Sequence, residues 1–139
     1  MEVKSGRNFI GRFLYQADLL QSLTDLCLKE GISLGVFNLV GAVTCAKMGY
    51  YDQENKIYIN CLDLKKKLEI TGCMGNISLK DKKPFVHAHI TLADHEGKCY
   101  GGHLMPGTKI FAAEYFVREL TGAEFERKPD PDTGLSLWP

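Results

Sequence analysis

Apolar positions along this chain follow two spacings, and only one stretch keeps the helical one. Residues 7–16 set Phe9, Gly11, Phe13 and Tyr15 on one parity and Ile10, Arg12 and Leu14 on the other, which predicts a strand covered on both faces. At Asp18 the period changes. Leu19, Leu20, Leu23, Leu26 and Cys27 recur at helical intervals, Asp18 with Gln21 has the form of a capping box, and Gly31 supplies the stop. Strand-type runs then fill 33–40, 43–51, 56–62, 67–80, 85–93 and 98–105, separated by Gly41 and by turn-rich segments at 52–55, 80–84 and 94–97. Residues 108–120 mix helix formers (Ala112, Ala113, Glu114) with strand formers (Ile110, Phe111, Tyr115, Phe116, Val117), and propensity does not decide between them. Residues 128–134 hold too much Pro and Asp for either element, so Leu135, Leu137 and Trp138 are expected to dock this tail on the body. One helix among many strands predicts an α+β fold with a mostly antiparallel sheet, and residues 1–139 read as a single domain.

Composition narrows the function classes. Apolar residues make up 45% and charged residues 24%, ordinary for a globular chain, and no run approaches the roughly 18 apolar residues of a membrane span. The start lacks the basic-then-apolar pattern of a secretory signal, so the cytoplasm is the expected compartment. Cys27, Cys45, Cys61, Cys73 and Cys99 are odd in number and widely spaced, which fits neither a disulfide framework nor a cysteine zinc site; reduced, mostly buried thiols are expected. Basic and acidic residues balance at 17 each, so duplex binding by overall charge is unsupported. A local patch would need Lys65–Lys67 and Lys80, Lys82 and Lys83 on adjacent strands; lysines guarding a strand edge explain them as well.

Three of the four histidines fall together, in His87-Ala88-His89 and in Gly101-Gly102-His103, on two runs that read as a hairpin. Alternation puts His87 and His89 on one face, about 6.5–7 Å apart at the backbone. Whether His103 joins them depends on register. If residue numbers across the hairpin sum to 191, His103 lies opposite Ala88 and faces away; a sum of 190 or 192 sets it opposite His87 or His89. Gly97 suits the left-handed position of a three-residue loop with a bulge, which would give an even sum. Three neutral imidazoles with an open fourth position are a catalytic zinc pattern, capable of making hydroxide near neutral pH. The structural alternative has these histidines hydrogen-bonding across the sheet or at a subunit boundary. His95, in the turn, is expected to be exposed. Glu114 is the candidate catalytic residue, orienting a histidine or acting as general base, and an ordinary strand-face carboxylate is its plainer reading. Cys99 shares parity with His103, though core is the plainer reading. Asn38, Thr71 and Asn76 are polar residues in apolar strands, lining a pocket or bonding to backbone.

Several motifs in order resemble the small PPC domain, "plants and prokaryotes conserved", over nearly the whole chain. They are Gly11 to Asp18 entering the helix, Gly41-Ala42, Gly49-Tyr50-Tyr51, Leu68-Glu69-Ile70 with Thr71-Gly72 and Gly75-Asn76-Ile77, Val86-His87-Ala88-His89, Asp94 with Gly97, Gly101-Gly102-His103-Leu104, Ala113-Glu114, and Thr133-Gly134-Leu135. The resemblance implies a highly curved, mostly antiparallel sheet with one main helix packed on it, a homotrimer, and a strand at 108–120. Plant domains similar to this one follow AT-hook segments with an Arg-Gly-Arg-Pro core, which this sequence does not contain, and they generally lack the three histidines. Three functions are therefore carried forward. The first is a metal-binding homotrimer with His87, His89 and His103 holding a divalent ion, zinc by preference, for a small-molecule ligand and hydrolytic chemistry. The second is a DNA-binding or transcription-associated module, and the third a structural or ligand-sensing trimer.

Overall fold

The computed structural model describes all 139 residues. Strand β1 (Lys4–Arg12) leads into helix α1 (Leu19–Glu30), and then β2 (Gly35–Asp52), β3 (Ile57–Leu64), β4 (Leu68–Lys80), β5 (Lys83–Ala93), β6 (Cys99–Leu104) and β7 (Lys109–Thr121) follow, with short β8 (Lys128–Pro129) and β9 (Ser136–Leu137) at the end. All pairings between these strands are antiparallel.

The helix begins where the sequence places it. Asp18 caps it by accepting from the Gln21 N–H at 3.2 Å, and Gly31 closes it in the left-handed conformation at φ 67°. Only half of the capping box forms, because the Gln21 side chain donates forward to Asp25 instead. Leu19, Leu23 and Cys27, four residues apart, are buried and join the main core cluster. Truncating Leu23 to Ala would cost about 2–5 kcal/mol by the usual cavity penalty.

The sheet curves because β2 serves two sets of neighbours. Its first half lies between β7 and β4, its second half pairs with β3 and touches β6, and β6 also pairs with β5. Strands β2, β4, β5 and β6 thus close a ring, while β7 and β1 extend from β2 as a flap. Gly41, expected to separate two strands, is a bulge within one 18-residue strand. Its φ of 145° and the nearness of the Ala112 carbonyl exclude a β-carbon there.

Lys109–Thr121 are strand, as the resemblance implied, paired with both β1 and β2. Three other expectations change. Strand β1 is not covered on both faces: it is an edge strand bonded to β7 alone, with Ile10 80% exposed. Of the five thiols only Cys27 and Cys73 are buried, and Cys61 and Cys99 are exposed. The Pro- and Asp-rich tail does form a minimal β8–β9 pair, closed by the Gly134 N–H donating to the Asp130 carbonyl.

Candidate metal centre

On β5 the core takes Val86, Ala88, Ile90 and Leu92, so His87 and His89 lie on the outer face. Their partner strand is in the even register: His89 faces His103, Thr91 faces Gly101 and Ala93 faces Cys99, a sum of 192. The loop that sets it is the expected one. The Gly97 N–H donates to the Asp94 carbonyl at 2.9 Å, Gly97 adopts φ 77°, and the Asp94 N–H donates to the Lys98 carbonyl at 3.1 Å. Gly102 lets β6 lie against β2, since a β-carbon there would stand 3.0 Å from the Gly49 carbonyl oxygen.

The three imidazoles form a nearly equilateral triangle. Ring centroids are 5.2 Å apart for His87 and His89, 5.1 Å for His87 and His103, and 5.6 Å for His89 and His103. One nitrogen from each lies within 4.8 Å of the others, close enough for a single ion. His89 is exposed; His87 and His103 are half-buried. Burial pushes His103 down to about 4, with His87 and His89 adding to the effect. Burial also lowers His87, helped by the Arg127 charge and by His89. Neutral imidazole is the form a metal needs. The Nδ1 atom of His103 is buried and has no hydrogen-bond partner. Such an orphan costs roughly 1–3 kcal/mol of desolvation, and a bound ion would satisfy it.

Around the triangle lie open cavities. Tyr58 packs against His103 with ring centroids 4.8 Å apart and planes tilted by 40°, and is braced by Tyr51 at 4.9 Å. A cavity of about 260 Å³ includes His87, His103, Tyr58, Phe85 and Arg127 in its wall. One side of it is the tail, held down by the Tyr51 hydroxyl donating to the Thr133 carbonyl at 2.7 Å and by Lys56 donating to the Pro131 carbonyl at 2.8 Å. Arg127 donates to the Ser78 hydroxyl at 2.8 Å, to Asn76 Oδ1 at 2.7 Å and to the Ser136 carbonyl at 2.9 Å. Sequence reasoning did not single out Arg127 or Tyr58. Arg127 meets Asn76 and Ser78 from 51 and 49 residues away, and no local pattern marks that.

The remaining candidates fall elsewhere. Glu114 lies on the same outer face but on β7, with β2 and β4 between it and the histidine strand, and within the chain the fold does not bring it to the triangle. Cys99 is exposed rather than core, because its parity is that of His103, and its thiol points back to the Gly97 carbonyl. His95 is exposed in the turn. Asn76 contributes to the cavity through Arg127, whereas Thr71 bonds to the Thr91 backbone carbonyl. Lys65–Lys67 and Lys80–Lys83 stand at opposite ends of β4 and make no shared patch.

Comparison with known proteins gives a consistent family. Residues 1–121 match the model of the Plants and Prokaryotes Conserved (PCC) domain. The crystal structure of a metal-containing protein from Archaeoglobus fulgidus is similar at 42% identity and TM-score 0.93, over 99% of this chain and 96% of that one. A plant- and prokaryote-conserved (PPC) protein from Pyrococcus horikoshii is similar at 40% identity and TM-score 0.94, over 99% of this chain and 94% of that one. Among curated proteins, the bifunctional protein GlmU of a Synechococcus strain is 34% identical over 119 residues, which is 84% of this chain and 17% of that protein. The chain therefore spans less than a fifth of the curated relatives it matches.

Proposed function

The chain belongs to the Plants and Prokaryotes Conserved domain family, and from that premise and the outer-face geometry we propose that it is a metal-binding domain whose His87, His89 and His103 hold one divalent transition ion for a small ligand. The observation that carries this reading is the unpartnered, buried Nδ1 of His103 in a ring of three convergent imidazoles. A purely structural histidine would be expected to have found a partner. Nitrogen-only donors favour zinc among the common ions, and Lewis acidity toward a ligand oxygen or water is what it would supply when bound. The chain's own residues keep His87 and His103 neutral by burial, fix His103 through the 192 register, and shield one side with Tyr58. No carboxylate lines the cavities around the triangle, so the reading is of binding first, with hydrolysis its proposed extension.

Residues 1–139 are read as one functional unit, assembled as a homotrimer. Supporting assembly, the outer face carries exposed Ile10, Val36, Val40, Met74 and Phe111, an unusual apolar surface for a lone chain. The DNA-binding reading is supported by likeness to a protein from Ralstonia eutropha JMP134 described as a putative DNA-binding protein, at 25% identity and TM-score 0.82 over 94% of this chain and 89% of that one, while the separated lysines and a formal net charge of zero weigh against it.

Metal analysis tests the proposal. Protein stripped with chelator and then reloaded with zinc should hold one ion per chain, and single His87→Ala, His89→Ala and His103→Ala variants should hold none after desalting. Failure of the wild-type protein to retain stoichiometric metal would reject it.

A further inference from the structure

Beside the histidine triangle lies a buried positive charge without a counter-ion. Arg127 is only 8% exposed, and burial depresses its affinity for its proton. Its guanidinium lies 5.1 Å from the Phe85 ring and 5.8 Å from that of Trp138. The three hydrogen bonds it makes go to a hydroxyl, an amide oxygen and a backbone carbonyl, none of them charged, and they use three of its five N–H groups. No Asp or Glu lines the cavity it borders, while Lys56 and Lys80 do. Taking a guanidinium out of water without an acidic partner costs several kcal/mol, and a neutral side chain could hold the tail by the same bonds without that cost. Fixed positive charge in a concave, aromatic-walled space is the usual signature of an anion site.

We propose that this cavity binds a small organic oxyanion, a carboxylate or a phosphate ester, with its charged group on Arg127 and its body between Tyr58 and Phe85, reaching toward His87 and His103. The planar fork of arginine suits the paired oxygens of either group. The volume of about 260 Å³ limits the ligand to metabolite size. This inference rests on the metal reading only for the far anchor, where the ion would take an oxygen of the same ligand. Arg127 anchors the near end by itself.

The test uses the side-chain Nε–H resonances of the four arginines, Arg7, Arg12, Arg118 and Arg127, in the intact wild-type protein. Metal-free and zinc-loaded samples are titrated separately with benzoate, phenyl phosphate and the neutral control benzyl alcohol. A saturable shift of the Arg127 resonance with benzoate or phenyl phosphate, absent with benzyl alcohol, supports the site, and in Arg127→Lys the same anion, followed by the backbone amide resonances of Ser136 and Leu137, should bind about tenfold more weakly. The anion acting at lower concentration identifies the class. No saturable Arg127 shift into the millimolar range, or an equal one with benzyl alcohol, overturns it. If Arg127→Lys does not fold, the wild-type titration decides alone. Anion binding to metal-free protein that takes up no zinc would sink the metal reading and keep this one; zinc uptake with no Arg127 shift would do the reverse.

Discussion

The β5–β6 hairpin carries two polar clusters that differ in how completely they are satisfied. At its tip, Asp94 accepts from the Glu96 and Lys98 backbone N–H groups at 3.1 and 3.0 Å, from Lys66 Nζ at 2.8 Å and from the Tyr100 hydroxyl at 3.0 Å. Lys66 also donates to Tyr100 at 2.7 Å, so the network closes on itself. Along its body, three imidazoles converge and a buried nitrogen is left over. A network with every group paired fixes a fold, and Asp94 does so by holding the loop that sets the register. An incomplete network on the same scaffold implies a missing member. The contrast separates architecture from function within about fifteen residues of sequence.

The largest effect expected from breaking this contrast is on metal uptake. His103→Ala should weaken zinc binding by about 100-fold or more in competition titrations, while the metal-free protein melts within about 2 °C of wild type, because an unsatisfied group has been removed. Asp94→Ala should invert that pattern, lowering the melting temperature of the metal-free protein. Next in size is the ligand effect itself. Zinc at a hundredfold over its dissociation constant should stabilise the wild-type protein by about 2.7 kcal/mol, measured as a rise in melting temperature that chelator reverses and His103→Ala lacks.

Acid should act on the two clusters in different windows. The metal-free fold holds His103 and His87 below their ordinary range, so the unfolded chain binds more protons as pH falls below about 6.5. Stability should decline from there toward pH 4, and His103→Ala should flatten that segment. Asp94 lies well below the usual carboxylate range, held there first by Lys66. Its contribution is fully present above about 3.9 and is lost only as pH falls further, a segment that Asp94→Asn should flatten. Chemical denaturation at a series of pH values reads both. The smallest effect is expected from Cys99→Ser, which should change stability by no more than about 0.5 kcal/mol and leave zinc affinity unchanged, because parity with His103 here means exposure.

Sequence carried the local decisions and lost the distant ones. Helix α1, its Asp18 cap and Gly31 stop were legible because each is decided within four residues. So was the histidine triangle, once register was reduced to an odd or even sum and Gly97 favoured even. Gly41 misled because a bulge and a strand break look alike until β7 and β4 are seen pairing through it. Strand β7 was ambiguous by propensity and settled by its two neighbours. Glu114 was drawn toward the histidines by chemistry alone, whereas strand order places two strands between them. Arg127 was overlooked because what makes it unusual, burial without an acidic partner, exists only after the tail folds over β4.

The central claim is most directly tested by diffraction from crystals of zinc-loaded, chelator-free protein, with anomalous data on either side of the zinc edge. The account predicts one anomalous peak per chain, within bonding distance of His87, His89 and His103. A map with no peak among the three imidazoles, or with zinc held only at other side chains, would contradict it.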